Sequence, residues 1–219
     1  MDLDLRLYAL VDPAVAGGRT LTDLARSIAG SATLVQLRDK HGGTRAMVEE
    51  ARALRAVLEP AGVPLLINDR VDVALAAEAD GVHIGQDDMS PADARLLLGR
   101  TAIIGLSLSS LRHAQEAPLD LIDYVGIGAV YPTGSKDDAT PPIGISGLRA
   151  IAQAVRGRKP GFPVCAISGI NAGNAAETIA AGADGVAVIS ALSLAADAAE
   201  AAQHLRAVVD GALERRGRL

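Results

Sequence analysis

A (β/α)8 barrel, the TIM-barrel fold, is predicted for this chain of 219 residues by three observations. Short apolar runs recur eight times along it. Segments of helical period separate these runs, and no long linker interrupts the alternation. A doubly wound open sheet ranks second, because it usually has fewer strands. The chain, 1–219, is therefore expected to form a single α/β domain.

The first two strands are RLYALV (6–11) and TLVQLR (33–38). TRAMVEEARALRAVLEPAG (44–62) follows, with Met47, Ala51, Leu54 and Leu58 on one face of an amphipathic helix. PLLIND (64–69) and GVHIGQ (81–86) are strands three and four. SPADARLLLG (90–99) opens with Ser90 as an N-cap and Pro91 at the first helical position. AIIGLSL (102–108) and DYVGIGAVY (123–131) come next, then the helix GISGLRAIAQAVRG (144–157). PVCAIS (163–168), the helix NAGNAAETIAAG (171–182) and GVAVISA (185–191) complete the series. Gly62, Gly99 and Gly182 fall where helix C-caps are expected. The near-continuous apolarity of the strands suits a parallel sheet buried on both faces. Ala79-Asp80-Gly81-Val82-His83-Ile84 resembles Ala183-Asp184-Gly185-Val186-Ala187-Val188, as recurring βα units would.

Composition narrows the partners. The core must be aliphatic, since there is no Trp, one Phe and three Tyr. Base-stacking platforms are therefore not expected, and a net charge of −5 offers nucleic acid no broad attraction. An anionic ligand must be small and held by local cations. One cysteine, Cys165, excludes an internal disulfide and a cysteine-rich zinc site. The N-terminus carries acids where a secretory signal carries bases, and no apolar run approaches a membrane span. A soluble cytoplasmic protein is expected, and a homo-oligomer is compatible with the sequence.

In such a barrel, chemistry lies at the C-terminal strand ends. Those ends carry Gln36, Arg38 and Lys40, then Asn68 and Asp69, then His83, Gln86, Asp87 and Asp88. Ser107 and Ser109 end strand five, and Thr133, Ser135, Lys136, Asp137 and Asp138 crowd the loop after strand six. Ser168-Gly169 and Ile189-Ser190 close the list. Gln36, Arg38 and Lys40 share one side at period two, and Leu37 faces the other. Inward cations need a partner, either an anionic ligand or a salt bridge to Asp69 or Asp87.

Asp69 and Asp88 end adjacent strands and suit a magnesium–diphosphate site. A general acid–base pair is the alternative, although neither acid lies in a plainly apolar stretch that would raise its pKa. Asp87 reads as a solvated residue or a helix cap. His83 reads as structural, because it makes no zinc spacing with Cys165 or the acids. No Gly-x-Ser-x-Gly elbow supports a serine hydrolase. The small residues of the last two strands suit a phosphate held by backbone N–H groups.

QLRDK (36–40), NDR (68–70), GVHIGQDD (81–88), GLS (105–107), YVGIGAVYPTGSKDDA (124–139) and PVCAISGINAGNAAETIAAGADGVAVISA (163–191) together resemble the thiamine-phosphate synthase family along almost the whole chain. The resemblance implies a transferase that couples an aminopyrimidine methyl diphosphate to a thiazole phosphate and releases pyrophosphate. It implies that Gln36, Leu37, Arg38, Asp39, Lys40, Asn68, Ser107 and Lys136 hold the pyrimidine diphosphate. Thr133, Gly134, Ser135, Gly169, Ile189 and Ser190 would hold the thiazole phosphate, and Asp69 and Asp88 would bind Mg2+. It implies dissociative chemistry, with Arg38, Lys136 and Ser107 as the catalytic residues.

Four positions depart from the family's pattern. Ser168 stands where glycine is usual, Ser109 where histidine is common, Ala129 for proline and Ser135 for threonine. A thiazole tautomerase of the sister family is the nearest alternative, weakened by the histidine missing at Ser109. A non-catalytic barrel that binds thiamine precursors is the other.

Overall fold

The computed structural model describes residues 3–134 and 141–217. All eight expected strands are present: β1 (Leu7–Val11), β2 (Leu34–Leu37), β3 (Leu65–Asn68), β4 (Gly81–Ile84), β5 (Ile103–Leu108), β6 (Tyr124–Ile127), β7 (Val164–Ile167) and β8 (Gly185–Val188). Each pairs in parallel with the next, and β8 pairs with β1 through Leu7 and Val186, so the sheet closes. The β1–β2 register sets Val11 opposite Leu37.

The helices around it are α1 (Leu21–Ile28), α2 (Thr44–Leu58), α3 (Val71–Ala77), α4 (Pro91–Leu98), α5 (Leu111–Glu116), α6 (Gly144–Arg158), α7 (Ala175–Ala180), α8 (Ser190–Ser193) and α9 (Ala198–Arg215). Met47, Ala51, Leu54 and Leu58 are the buried face of α2, as their spacing requires. Ser90 accepts from Asp93 N and caps α4 ahead of Pro91. The helix expected over 171–182 starts later. Asn171 N donates to the Asn174 side chain, and Gly173 N donates to that of Asn171, so a polar turn precedes α7. Helices α1, α3, α5, α8 and α9 complete the outer layer.

Two apolar layers result. The larger lies between the sheet and the helices. The smaller fills the barrel with Leu5, Tyr8, Leu34, Leu66, Tyr124, Cys165 and Ala187. Gly105 makes room for this plug, because a Cβ there would overlap the Tyr124 ring.

The repeated Ala-Asp-Gly-Val element has a physical reason. Asp80, just before β4, accepts the first N–H of β3 (Leu65, 2.7 Å). Asp184, just before β8, accepts the first N–H of β7 (Val164, 3.0 Å). Asp123, just before β6, accepts the second N–H of β5 (Ile104, 2.8 Å), and Thr33, just before β2, the first of β1 (Leu7, 3.1 Å). Each even strand is thus preceded by a side chain that anchors the odd strand before it. At Gly81 and Gly185 a Cβ would overlap neighbouring backbone, so the glycine after the aspartate is a steric requirement.

Candidate active site

Opposite that anchored rim, the C-terminal ends of the strands open into a cavity of about 330 Å³. Its floor is polar. The Gln36 amide nitrogen donates to the Tyr8 hydroxyl, and Tyr124 Oη donates to Tyr8 Oη at 3.0 Å. His83 joins the chain, with Nδ1 2.8 Å from Tyr124 Oη and Nε2 2.8 Å from Ser107 Oγ. Gln36 is 1% exposed, and its Oε1 has no hydrogen-bond partner. Burial pushes both tyrosine hydroxyls far above their ordinary pKa, so they remain neutral donors and acceptors. His83 fits the structural role expected of it, and it also forms part of the cavity wall.

The cations are held at one side. Arg38, immediately after β2, pairs through Nη1 with Asp12 Oδ2. Asp69 and Asp87 were the salt-bridge alternatives to an anionic ligand for these cations; for Arg38 the register instead brings the residue after β1 beside the residue after β2. Lys40 takes Asp69, with Nζ to Oδ2 at 2.5 Å.

Asp69 directly follows β3 with a left-handed φ of 60°, and its N–H donates to His83 O at 2.8 Å. Burial raises the Asp69 pKa above the carboxylate norm, and the nearby Asp88 carboxyl raises it further, against the pull of Lys40. The sequence offered no sign of that burial, because the surroundings come from other strands. Asp88 is steadied by Gly85 N, which donates to its Oδ2 at 2.7 Å. Asp87 is exposed on the cavity wall, and the cap of α4 is Ser90.

The far side of the mouth is built from small residues. Ser168 and Gly169 adopt successive left-handed conformations, with φ of 72° and 71°. They line the cavity together with Ile189 and Ser190, the latter opening α8. The Ser168 Oγ is buried without a partner. Asn68, Ser107 and Thr133 also line the cavity.

The mouth therefore gathers Gln36, Arg38, Lys40, Asn68, Asp69, Asp88, Ser107, Thr133, Gly169, Ile189 and Ser190. Leu37 turns its side chain into the outer core, so only its backbone is available to the mouth. Asp39 caps its own turn by accepting from His41 N at 3.0 Å and Gly42 N at 2.7 Å. Gly134 is exposed and off the cavity wall. Ser135 and Lys136, with Asp137 and Asp138, lie outside the described residues. The position where a histidine is common holds Ser109, whose Oγ lies 3.3 Å from Nδ1 of His113 on α5; neither residue lines the cavity.

Sequence reasoning missed Asp12, Tyr8 and Tyr124. Asp12 had a signal: it follows β1 as Arg38 follows β2. The tyrosines had none, because a strand tyrosine facing a barrel axis reads as ordinary packing.

Among the described residues, no group of three or more His, Cys, Asp or Glu side chains could hold a metal ion. No helix among them is long and apolar enough to cross a membrane.

A family model described as thiamine monophosphate synthase matches residues 7–192. The thiamine-phosphate synthase of Chloroflexus aurantiacus is 50% identical over 208 residues, covering 94% of each chain. That of Moorella thermoacetica is 49% identical over 204 residues, covering 93% of this chain and 95% of its own. The structure of a thiamine phosphate pyrophosphorylase from Pyrococcus furiosus superposes with a TM-score of 0.82 at 37% identity, covering 96% of this chain and 98% of the other. A 3-hexulose-6-phosphate synthase, at 17% identity and a TM-score of 0.65, shares the fold alone. With acids, cations and small turn residues meeting at one mouth, and half the sequence shared with such relatives along nearly its full length, this chain belongs to the thiamine monophosphate synthase family and is a transferase of thiamine biosynthesis.

Proposed function

We propose that the barrel joins an aminopyrimidine methyl diphosphate to a thiazole phosphate and releases pyrophosphate. One observation carries this reading: Arg38 and Lys40 share a single cavity with the Asp69–Asp88 pair, while Gly169, Ile189 and Ser190 form another part of its wall. One mouth thereby provides for two anions.

The diphosphate takes the Arg38, Lys40, Asn68 and Ser107 side, and the family resemblance adds Lys136 to its ligands. The thiazole phosphate takes the side of Thr133, Gly169, Ile189 and Ser190, and the family resemblance adds Gly134 and Ser135 to its ligands. The unpartnered Gln36 Oε1 suits a ligand amino group, which an aminopyrimidine supplies.

A magnesium ion fits the acid pair. Asp69, whose ionisation is made costlier by its partial burial and by the neighbouring Asp88 carboxyl, is relieved by a hard divalent cation, and two protein ligands leave room for phosphate oxygens and water. Asp69 and Asp88 would hold the ion, which when bound supplies positive charge beside the leaving diphosphate.

The chemistry asks little of a base. The C–O bond breaks with its electron pair going to pyrophosphate, and the thiazole nitrogen lone pair forms the new C–N bond. Arg38 and Lys136 stabilise charge that grows on the leaving group more than charge already present in the bound substrate. The apolar lining from Leu10, Ile167, Ile170 and Val188 and the neutral tyrosines keep water from the cationic carbon. The chain acts as one barrel domain, in the cytoplasm, without a nucleic acid or membrane partner.

Pyrophosphate release, coupled to a reporter enzyme, is expected only when both substrates and Mg2+ are present, with thiamine phosphate detected by chromatography. Isomerised thiazole without pyrophosphate would assign the barrel to the tautomerases. Binding without turnover would make it a sensor. Lys136→Ala is expected to lower kcat by about 100-fold while changing thiazole phosphate binding less than threefold; unchanged kcat removes Lys136 from the mechanism.

A further inference from the structure

We propose that Asp12 is a positioning residue for this reaction, acting on the leaving diphosphate through Arg38. The inference rests on the diphosphate reading above. Asp12 is 1% exposed, and both of its carboxylate oxygens are committed. Oδ1 accepts from Ala14 N at 2.9 Å, capping the short 3-10 turn Pro13–Val15, and Oδ2 takes Arg38 Nη1. A carboxylate pinned by a backbone cap cannot follow a moving arginine; the arginine must conform to it.

The strand register sets the pair. Val11 lies opposite Leu37, and Arg38 N continues the ladder by donating to Val11 O at 2.9 Å. The next residue on each strand is Asp12 and Arg38. The guanidinium is planar, so a fixed Nη1 restricts the whole fork. Its Nε and Nη2 have no other protein partner among the described residues, on a residue that lines the cavity. One donor is thus spent on orientation and the rest are left for an anion.

Lys40 is the contrast. Its ammonium is a point charge on a flexible stem with 47% of the side chain exposed, and it is paired to Asp69. Arg38, with 12% of its side chain exposed, is oriented before substrate arrives. Pre-set geometry is worth most in the transition state, where small misplacements of a charge-stabilising group are costly.

A bridge that merely holds β1 to β2 is the competing account, and a double-mutant cycle separates the two. Asp12→Ser and Asp12→Asn each keep an oxygen for Ala14 N while removing the charge that holds Arg38. Each is expected to lower kcat by about 10- to 100-fold with the thiazole phosphate KM unchanged. In an Arg38→Ala background the same substitutions should change kcat by less than twofold. Titration calorimetry with inorganic pyrophosphate and Mg2+ gives a readout apart from turnover. Asp12→Ser is expected to weaken binding about threefold when Arg38 is present and not at all in Arg38→Ala, by the same coupling argument. Effects that simply add between the two positions, unchanged kcat in the single variants, or pyrophosphate bound as tightly as in the unsubstituted chain would each overturn the proposal. Should the unsubstituted chain fail to turn over the two substrates, the reaction assignment falls, while the pyrophosphate cycle still decides whether Asp12 acts through Arg38.

Discussion

The two rims of the barrel use the same residue types to opposite ends. At the N-terminal rim, Asp80, Asp123 and Asp184 each accept a backbone N–H from the preceding odd strand. Arg95 reaches Asp123, and Arg156 and Arg216 both reach Asp184, at 2.8, 2.5 and 2.8 Å. At the C-terminal rim, Asp69 sits in a left-handed conformation with its carboxyl pushed up by burial and by Asp88. Gln36 Oε1 and Ser168 Oγ there are buried without partners. One rim commits its acids to backbone and arginine, although Arg156 Nε there is also buried without a partner; the other leaves two buried side-chain oxygens unmet. Unmet groups and strained backbone persist where a ligand is to complete them.

Substitutions that cross this divide test it. The largest effect is expected at Asp184→Ala, which removes the acceptor for Val164 N and strips Arg156 and Arg216 of their shared carboxylate. A loss of about 2–4 kcal/mol is expected in denaturant unfolding, with kcat of the folded protein unchanged. A fall in kcat without loss of stability would erase the distinction between the rims.

Asp69→Ala should behave the other way. Turnover is expected to fall about 100-fold, equal to about 2.7 kcal/mol of barrier, with a weakened response to Mg2+ titration. The unfolding midpoint should barely move. An unchanged magnesium requirement would remove Asp69 as a ligand.

Ser168→Gly is the smallest and has the opposite sign. It removes a left-handed side-chain conformation and an orphaned hydroxyl, so the folded state should gain about 1–2 kcal/mol in the same unfolding measurement. A midpoint that stays put would mean the C-terminal rim carries no strain at this position.

Legibility followed the same divide. The strand starts and the αβ turns were readable because the patterns are local. Ser90-Pro91 capped a helix as expected, and the Asp-Gly element recurred because each copy solves one steric and hydrogen-bonding problem. The outer α2 face was readable from spacing alone. The late start of α7 was not, because Asn171 and Asn174 compete for backbone N–H groups that a helical pattern assigns elsewhere.

At the mouth, the residue types were legible and their pairings were not. The sequence presented Arg38 and Lys40, Asp69, and Asp88 as charges at the ends of three separate strands; which acid meets which base depends on the shear of the closed sheet. That shear brought Asp12 to Arg38 and left Lys40 to Asp69.

By itself, then, the sequence determined the eight-strand alternation and the polar strand ends, since both follow from short-range periodicity and turn chemistry. Tertiary structure alone decided the Gln36–Tyr8–Tyr124–His83–Ser107 chain, the raised Asp69 carboxyl and the Asp12–Arg38 pair. Each of these joins residues on different strands, and only ring closure with a particular register brings them within a hydrogen bond of one another.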